Sequence, residues 1–79
     1  MSPNISPTFD TPEQALAWLF EKLEKDGEEY IDTERFCFLD DRLSQAAYAT
    51  VQAGGCCGSR DEEVIVAGRP AMVGYNFGH

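Results

Sequence analysis

Glu63-Val64-Ile65-Val66-Ala67-Gly68-Arg69-Pro70-Ala71-Met72-Val73-Gly74-Tyr75-Asn76-Phe77 reads as two strands folded around a turn. β-Branched and aromatic residues fill both arms, and Gly68-Arg69-Pro70 between them has the composition of a tight reversal. The strands are expected over 63–67 and 71–77. Pro70 has no amide hydrogen for a ladder, so it belongs at a strand start or edge. Gly74, inside the second strand, predicts a bulge or a close approach to the backbone.

Working outward from this hairpin, Arg35-Phe36-Cys37-Phe38-Leu39 is a compact aromatic run that supplies a third strand. Two helices complete the pattern. The first opens with Thr11 as N-cap, Pro12 at the first helical position and Gln14 closing a Thr-x-x-Gln capping box. Leu16, Leu19, Phe20 and Leu23 then follow the spacing of one buried helical stripe, with Trp18 at its edge. Glu21 and Lys25 form a favourable i, i+4 pair, and Gly27 can close the helix in the left-handed conformation. The second helix runs from Arg42 to Ala53. Asp40 and Asp41 offer its caps, and Leu43, Ala46, Ala47, Tyr48, Thr50 and Val51 form an alanine-rich face that would approach a neighbour closely. Gly54-Gly55 stops it. The segment 28–34 is acidic and has no clean period. Residues 1–9 are expected to form an irregular arm, which Ile5 and Phe9 could tack to the core. The expected fold class is α+β, with two helices packed on a small three-stranded antiparallel sheet that ends in a C-terminal hairpin. The 79 residues make one compact acidic domain.

Charge is distributed unevenly. Residues 1–41 hold eleven acids against three bases, which accounts for the whole net charge of −8, whereas the three acids and three bases of residues 42–79 cancel. Such a field favours cationic partners and works against direct contact with nucleic acid or anionic lipid. The longest apolar run is far shorter than a membrane span needs. The N-terminus lacks the basic start and apolar run of a secretory signal, so a cytoplasmic protein is expected. An odd cysteine count argues against a secreted disulfide framework.

No motif marks a catalytic centre. Cys56-Cys57 does not follow the Cys-x-x-Cys spacing of zinc ribbons or redox sites, and is read as part of a tight glycine-rich turn. Adding Cys37 and His79 would make a nominal four-ligand set for zinc, with a disulfide as a further alternative; neither metal nor cofactor is expected. The glycines near the cysteines have no lysine to make a phosphate-binding loop. His79, the lone histidine, has no fixed neighbours to orient a general base. Asp61-Glu62-Glu63, like Asp40-Asp41, is assigned to capping and solubility, because no calcium-loop spacing is present.

The acidic half remains. Helix side chains three or four residues apart stand about 5–6 Å from one another, comparable with successive phosphates along a strand. Glu21, Glu24, Asp26, Glu28, Glu29, Asp32, Glu34, Asp40 and Asp41 could present an anionic track. A groove lined with lysine and arginine for DNA would accept such a track instead. The alternative is a small accessory domain whose acids serve solubility only, and which binds protein through exposed Trp18, Tyr48, Tyr75 or Phe77.

In length, in its acidic opening half from Thr11-Pro12-Glu13-Gln14 to Asp41, and in the tail Gly54-Gly55-Cys56-Cys57-Gly58 … Val64-Ile65-Val66-Ala67-Gly68-Arg69 … Gly74-Tyr75-Asn76-Phe77-Gly78-His79, the chain resembles the type I-C anti-CRISPR proteins. These are short inhibitors encoded by phages and mobile elements, and the likeness is to the fifth named type I-C family. The resemblance spans most of the chain and rests on no diagnostic motif. It implies inhibition without catalysis; a monomer acting in the cytoplasm of a bacterial host is expected. The partner implied is the Cascade complex, through the positively charged DNA-recognition surface of its large subunit. No family residue assignment carries over.

Overall fold

The computed structural model describes residues 6–53 and 58–78. In chain order its elements are β1 (Thr8–Phe9), α1 (Pro12–Lys25), β2 (Ile31–Phe38), α2 (Arg42–Ala53), β3 (Ser59–Val66) and β4 (Arg69–Phe77). They form one sheet in the order β1-β3-β4-β2. β4 pairs antiparallel with both β3 and β2, while β1 runs parallel to β3. The fold is α+β as expected, but the sheet is four-stranded and mixed, not three-stranded and antiparallel. The additional strand comes from the expected irregular arm. Two residues are too few to show a period. What holds them is backbone bonding, the Ile65 N–H donating to Pro7 O at 2.8 Å and the Ala67 N–H to Phe9 O at 2.9 Å. The Phe9 ring packs 5.7 Å from Trp18, so Phe9 tacks the arm down as anticipated. Ile5 lies outside the described residues.

The hairpin turn is Ala67-Gly68, with Val66 facing Arg69 across it. Both turn residues have positive φ, 52° and 78°, the signature of a type I′ turn whose twist matches that of the strands. The turn thus sits one residue before the expected Gly68-Arg69-Pro70, and Arg69 and Pro70 open β4 instead. β2 also begins earlier than expected, at Ile31 rather than Arg35. Ile31 faces Phe77 and Glu34 faces Tyr75, so one extra residue is accommodated between them. That bulge reverses the in–out alternation of the strand, which is why 28–34 shows no period. β3 likewise starts at Ser59, four residues ahead of Glu63, because charged Arg60, Asp61 and Glu62 are strand residues here.

α1 covers one face of the sheet. Thr11 Oγ1 accepts from the Gln14 N–H at 3.3 Å, and Gln14 Oε1 accepts from the Asp10 N–H at 2.9 Å. At the other end Gly27 has φ 84°, with the Glu28 N–H donating to Leu23 O and the Gly27 N–H to Glu24 O, a Schellman closure. The buried stripe is Ala15, Leu19 and Leu23, set against Val64, Val66, Ala71, Val73 and Tyr75. Leu16 and Phe20 flank that stripe on one side and Trp18 on the other. Phe20, expected inside, keeps 38% of its surface exposed. The expected Glu21–Lys25 pair is not among the ion pairs formed between described residues; Lys22 instead meets Glu62 of β3 at 3.7 Å.

α2 lies over the opposite face, and Asp41 caps it, Oδ1 accepting from the Leu43 N–H at 3.0 Å. Its alanine-rich stripe does not pack as expected. Of its described residues only Tyr48 is buried, and Leu43 is 84% exposed. The sheet face beneath is polar, which is the physical reason. The guanidinium of Arg35, fully buried, lies 2.7 Å from Asp61, and its carbon sits 4.7 Å from the Tyr48 ring centre. The Tyr48 hydroxyl donates to Asp61 Oδ1, and Gln52 Nε2 donates to Oδ2 at 3.0 Å. Gly74 makes the room, because a Cβ there would collide with Asp61 Oδ1, the Tyr48 hydroxyl and Arg35 Nη2. Of the two readings of Gly74, close approach is the correct one. Gly54 and Gly55 lie outside the described residues.

Two stability outcomes follow from this geometry. Ala67→Asn relieves a left-handed alanine, so it should stabilise by about 0.5–1 kcal/mol, raising the thermal midpoint by roughly 2–8 °C in calorimetry; an unchanged or lower midpoint refutes the turn assignment. Asp61→Ala strands a buried guanidinium and should cost about 3–5 kcal/mol in urea denaturation, most of it recovered when Arg35→Met is added. A double variant no more stable than the single one contradicts the pairing.

Candidate interaction surface

Glu13, Leu16, Ala17, Phe20, Glu21 and Glu24 recur at helical spacing along the margin of α1 that turns toward β2. Beside them stand Glu34 of β2 and Tyr75 of β4, which are cross-strand partners. Together these side chains line an open groove of about 530 Å³. Its apolar floor is formed by Leu16, Phe20 and Tyr75, while Ala17, exposed on α1, stands with the four glutamates along its rim. Tyr75 is fixed, its hydroxyl donating to Leu16 O at 3.0 Å and its ring meeting Phe20 edge-to-face at 5.6 Å. Burial, with a smaller contribution from the Glu34 charge, raises the Tyr75 phenol above its usual range, so the ring stays neutral. Among the described residues no cation pairs with Glu13, Glu21, Glu24 or Glu34.

The nine acids singled out from the sequence divide into groups. Glu21, Glu24 and Glu34 meet at the groove. Glu28 and Glu29 are exposed in the connection between α1 and β2, and Asp32 is exposed on β2. Asp26 is tied to Arg60. Asp40 and Asp41 lie beyond the far end of β2, where the strand rise puts Phe38 roughly 20 Å from Asp32. There Arg69 grips Asp40 through Nε at 3.1 Å and Nη2 at 2.6 Å and holds its carboxyl below the usual range. The Ser44 hydroxyl and backbone do the same for Asp41. These three carboxylates have internal partners, and the two at the far end stand apart from the rest.

Sequence reasoning left Glu13 and Ala17 out of the site, since they carry no special signal, and named Tyr75 only as an exposed aromatic anchor, because its place beside Glu34 depends on strand register. It also assigned Asp61 and Glu62 to solubility. Both are half-buried, Asp61 with Arg35 and Glu62 with Lys22 and Arg60. The aromatic anchors of the alternative reading are largely withdrawn. Tyr48 and Tyr75 are buried, and Trp18 and Phe77 are half-buried. Lys22 Nζ also sits 4.9 Å over the Trp18 ring. Phe20 and Tyr30 are the exposed large aromatics instead.

A second, smaller recess of about 310 Å³ beside α2 is lined by Cys37, Tyr48, Gln52, Asp61 and Met72, among others. Burial, followed by the nearby Asp61 and Asp41 charges, pushes the Cys37 thiol above its ordinary value, against an opposing backbone hydrogen bond from Met72. Among the described residues no three potential ligands converge on a metal position. Cys56, Cys57 and His79 lie outside the described residues. No helix of the described chain is long and apolar enough to cross a membrane.

Compared with protein-family models, curated proteins and solved structures, the chain matches none.

The thiol environment has a measurable consequence. A raised pKa leaves the unreactive protonated form dominant until the pH passes the ordinary thiol value. At pH 8 iodoacetamide should therefore leave Cys37 unmodified in the folded protein and modify it once urea is added, as read by peptide mass mapping. Rapid native modification would contradict its burial.

Proposed function

We propose that this protein is a non-catalytic inhibitor of a type I CRISPR effector. On this reading it acts as a monomer in the cytoplasm of a bacterial host. Its acidic face docks on the positively charged DNA-recognition surface of Cascade, on the large subunit, and blocks target recognition. One observation carries the reading: Glu13, Glu21, Glu24, Glu28, Glu29, Asp32 and Glu34, all exposed on α1, the connection after it and the first half of β2, form no ion pair among the described residues. Its resemblance to the type I-C anti-CRISPR proteins supplies the identity of the partner. Charge of this kind steers association with a cationic groove and repels nucleic acid itself. Asp26, Asp40 and Asp41 add to the overall field and contribute less to the face.

The second reading, an accessory domain anchored by aromatics, now draws on Phe20 and Tyr30, which are 38% and 62% exposed. Salt separates the two. An electrostatic face loses affinity as ionic strength shortens the screening length to a few ångströms, whereas an aromatic anchor does not.

The test reverses Glu21, Glu24, Glu28 and Glu29 to lysine together. All four are exposed, so the circular dichroism spectrum should be unchanged. Binding to purified Cascade large subunit, followed by interferometry, should fall by about 100-fold or more, because like charges then face each other. Wild-type affinity should also fall steeply with added salt. Undiminished binding of the reversed variant at physiological salt refutes the proposed face.

A further inference from the structure

We infer that the groove between α1 and β2 is an arginine-binding cleft, taking one arginine side chain projected from the surface of a partner protein. This inference rests on the function proposed above and names the chemistry that the same face selects. Two independent features of the groove carry it, its floor and its rim.

The floor is apolar and partly aromatic. Leu16 and Phe20 come from α1, and Phe20 meets the immobilised Tyr75 ring edge-to-face. At about 530 Å³ the groove falls within the range of about 300–1,000 Å³ typical of ligand sites. A carboxylate track made only for solubility needs no such floor. The rim carries four exposed glutamates with no described cation to neutralise them, so it repels an anion and attracts a cation. The occupant that satisfies both features has an apolar stem and a cationic head.

Arginine fits better than lysine. Its guanidinium lies flat on aromatic rings and bonds two carboxylate oxygens at once, whereas an ammonium is compact and strongly hydrated. The protein already uses this chemistry on its own chain. Arg69 sits 3.8 Å over the Phe38 ring while holding Asp40 through two nitrogens, and Arg35 lies over Tyr48 while pairing with Asp61. The α1–β2 groove presents the same two halves, ring and carboxylate, with the arginine missing among the described residues. Free arginine is a poor occupant because its own carboxylate would face four glutamates. A side chain held by a protein brings no such charge.

The test uses a plug that leaves every charge in place. Ala17 is exposed on α1 and lines the groove, so Ala17→Phe fills the space while all four glutamates remain. Two measurements are made. In the first, the labelled protein is titrated by NMR with a short alanine-based helical peptide carrying one arginine, then with its citrulline counterpart, which keeps the shape and loses the charge. The arginine peptide should shift the amide signals of Ala17, Phe20, Glu34 and Tyr75, the citrulline peptide should not, and Ala17→Phe should abolish the response. In the second, Ala17→Phe should weaken binding to the Cascade large subunit by roughly 30-fold, the loss expected of a central anchor.

Equal shifts with citrulline, equal shifts with spermidine, or shifts spread over all exposed acids would overturn the cleft. So would full Cascade binding by Ala17→Phe alongside loss in the lysine-reversed variant, an outcome that leaves the acidic face standing. If the wild-type protein does not bind Cascade at all, the proposed function fails, and the peptide titration alone decides the cleft.

Discussion

A guanidinium with no exposed surface must meet a counter-charge, and in this fold the requirement is met by Arg35 and Asp61 on the sheet face beneath α2. The pair exists only because β4 carries glycine at position 74, where any side chain would occupy the space of Asp61, Tyr48 and Arg35. The two faces of the sheet consequently work by different physics. Toward α1, Val64, Val66, Val73 and Tyr75 bury apolar surface against Ala15, Leu19 and Leu23. Toward α2 the contact is a charge-centred network into which one helix residue, Tyr48, is buried. Asn76 Nδ2 adds a bond to the Val51 carbonyl at 3.2 Å. A helix held this way has no need to bury its alanine and leucine positions, which accounts for the exposure of Leu43 and Val51.

The same pairing logic decides where net charge appears. By sequence, the acidic surplus fills the first half and the second half is neutral. In space the halves exchange partners. Arg60 and Arg69 of the second half go to Asp26 and Asp40 of the first, while Arg35 and Lys22 of the first go to Asp61 and Glu62 of the second. Four of the six bases are consumed in this exchange. Those left without an ion pair among the described residues, Lys25 and Arg42, do not face the groove. Most carboxylates without an ion pair among the described residues therefore lie on α1, the following connection and the start of β2, while Asp10 before α1 and Glu63 on β3 stand outside that region.

Local signals explain what could be read before the fold was seen. Thr11, Gln14 and Gly27 bound α1 through hydrogen bonds that span three to five residues, and Asp41 does the same for α2. The hairpin was legible because its strands alternate around a two-residue turn, though the assignment slipped by one because Ala67, not a glycine, takes the first left-handed position. What stayed hidden depends on distant partners. β1 is two residues long and defined by its bonds to β3. The bulge in β2 scrambles the alternation that would have marked the strand. The polar floor under α2 needs Arg35, Tyr48 and Asp61 brought together from three elements. For the candidate site, the acids were visible as composition, but Glu13 and Tyr75 join the groove only through the packing of α1 on the sheet. Asp40 and Asp41 leave it because β2 carries them to its other end.

On the function proposed here, charge and shape would have separate tasks on such a surface. An exposed carboxylate field acts over a Debye length of about 8–10 Å at ordinary salt, too far to distinguish one register of a cationic groove from the next. Orientation has to come from contacts of shorter range. The apolar recess among the same glutamates supplies a contact whose energy falls away within a bond length or two of misplacement. Both sets of groups hang on α1, and the residues that hold α1 still are Ala15, Leu19 and Leu23, one helical face away. Rigidity at the groove is thus inherited from the dry side of the sheet, and any change that loosens those three positions should blur the rim without touching a single carboxylate.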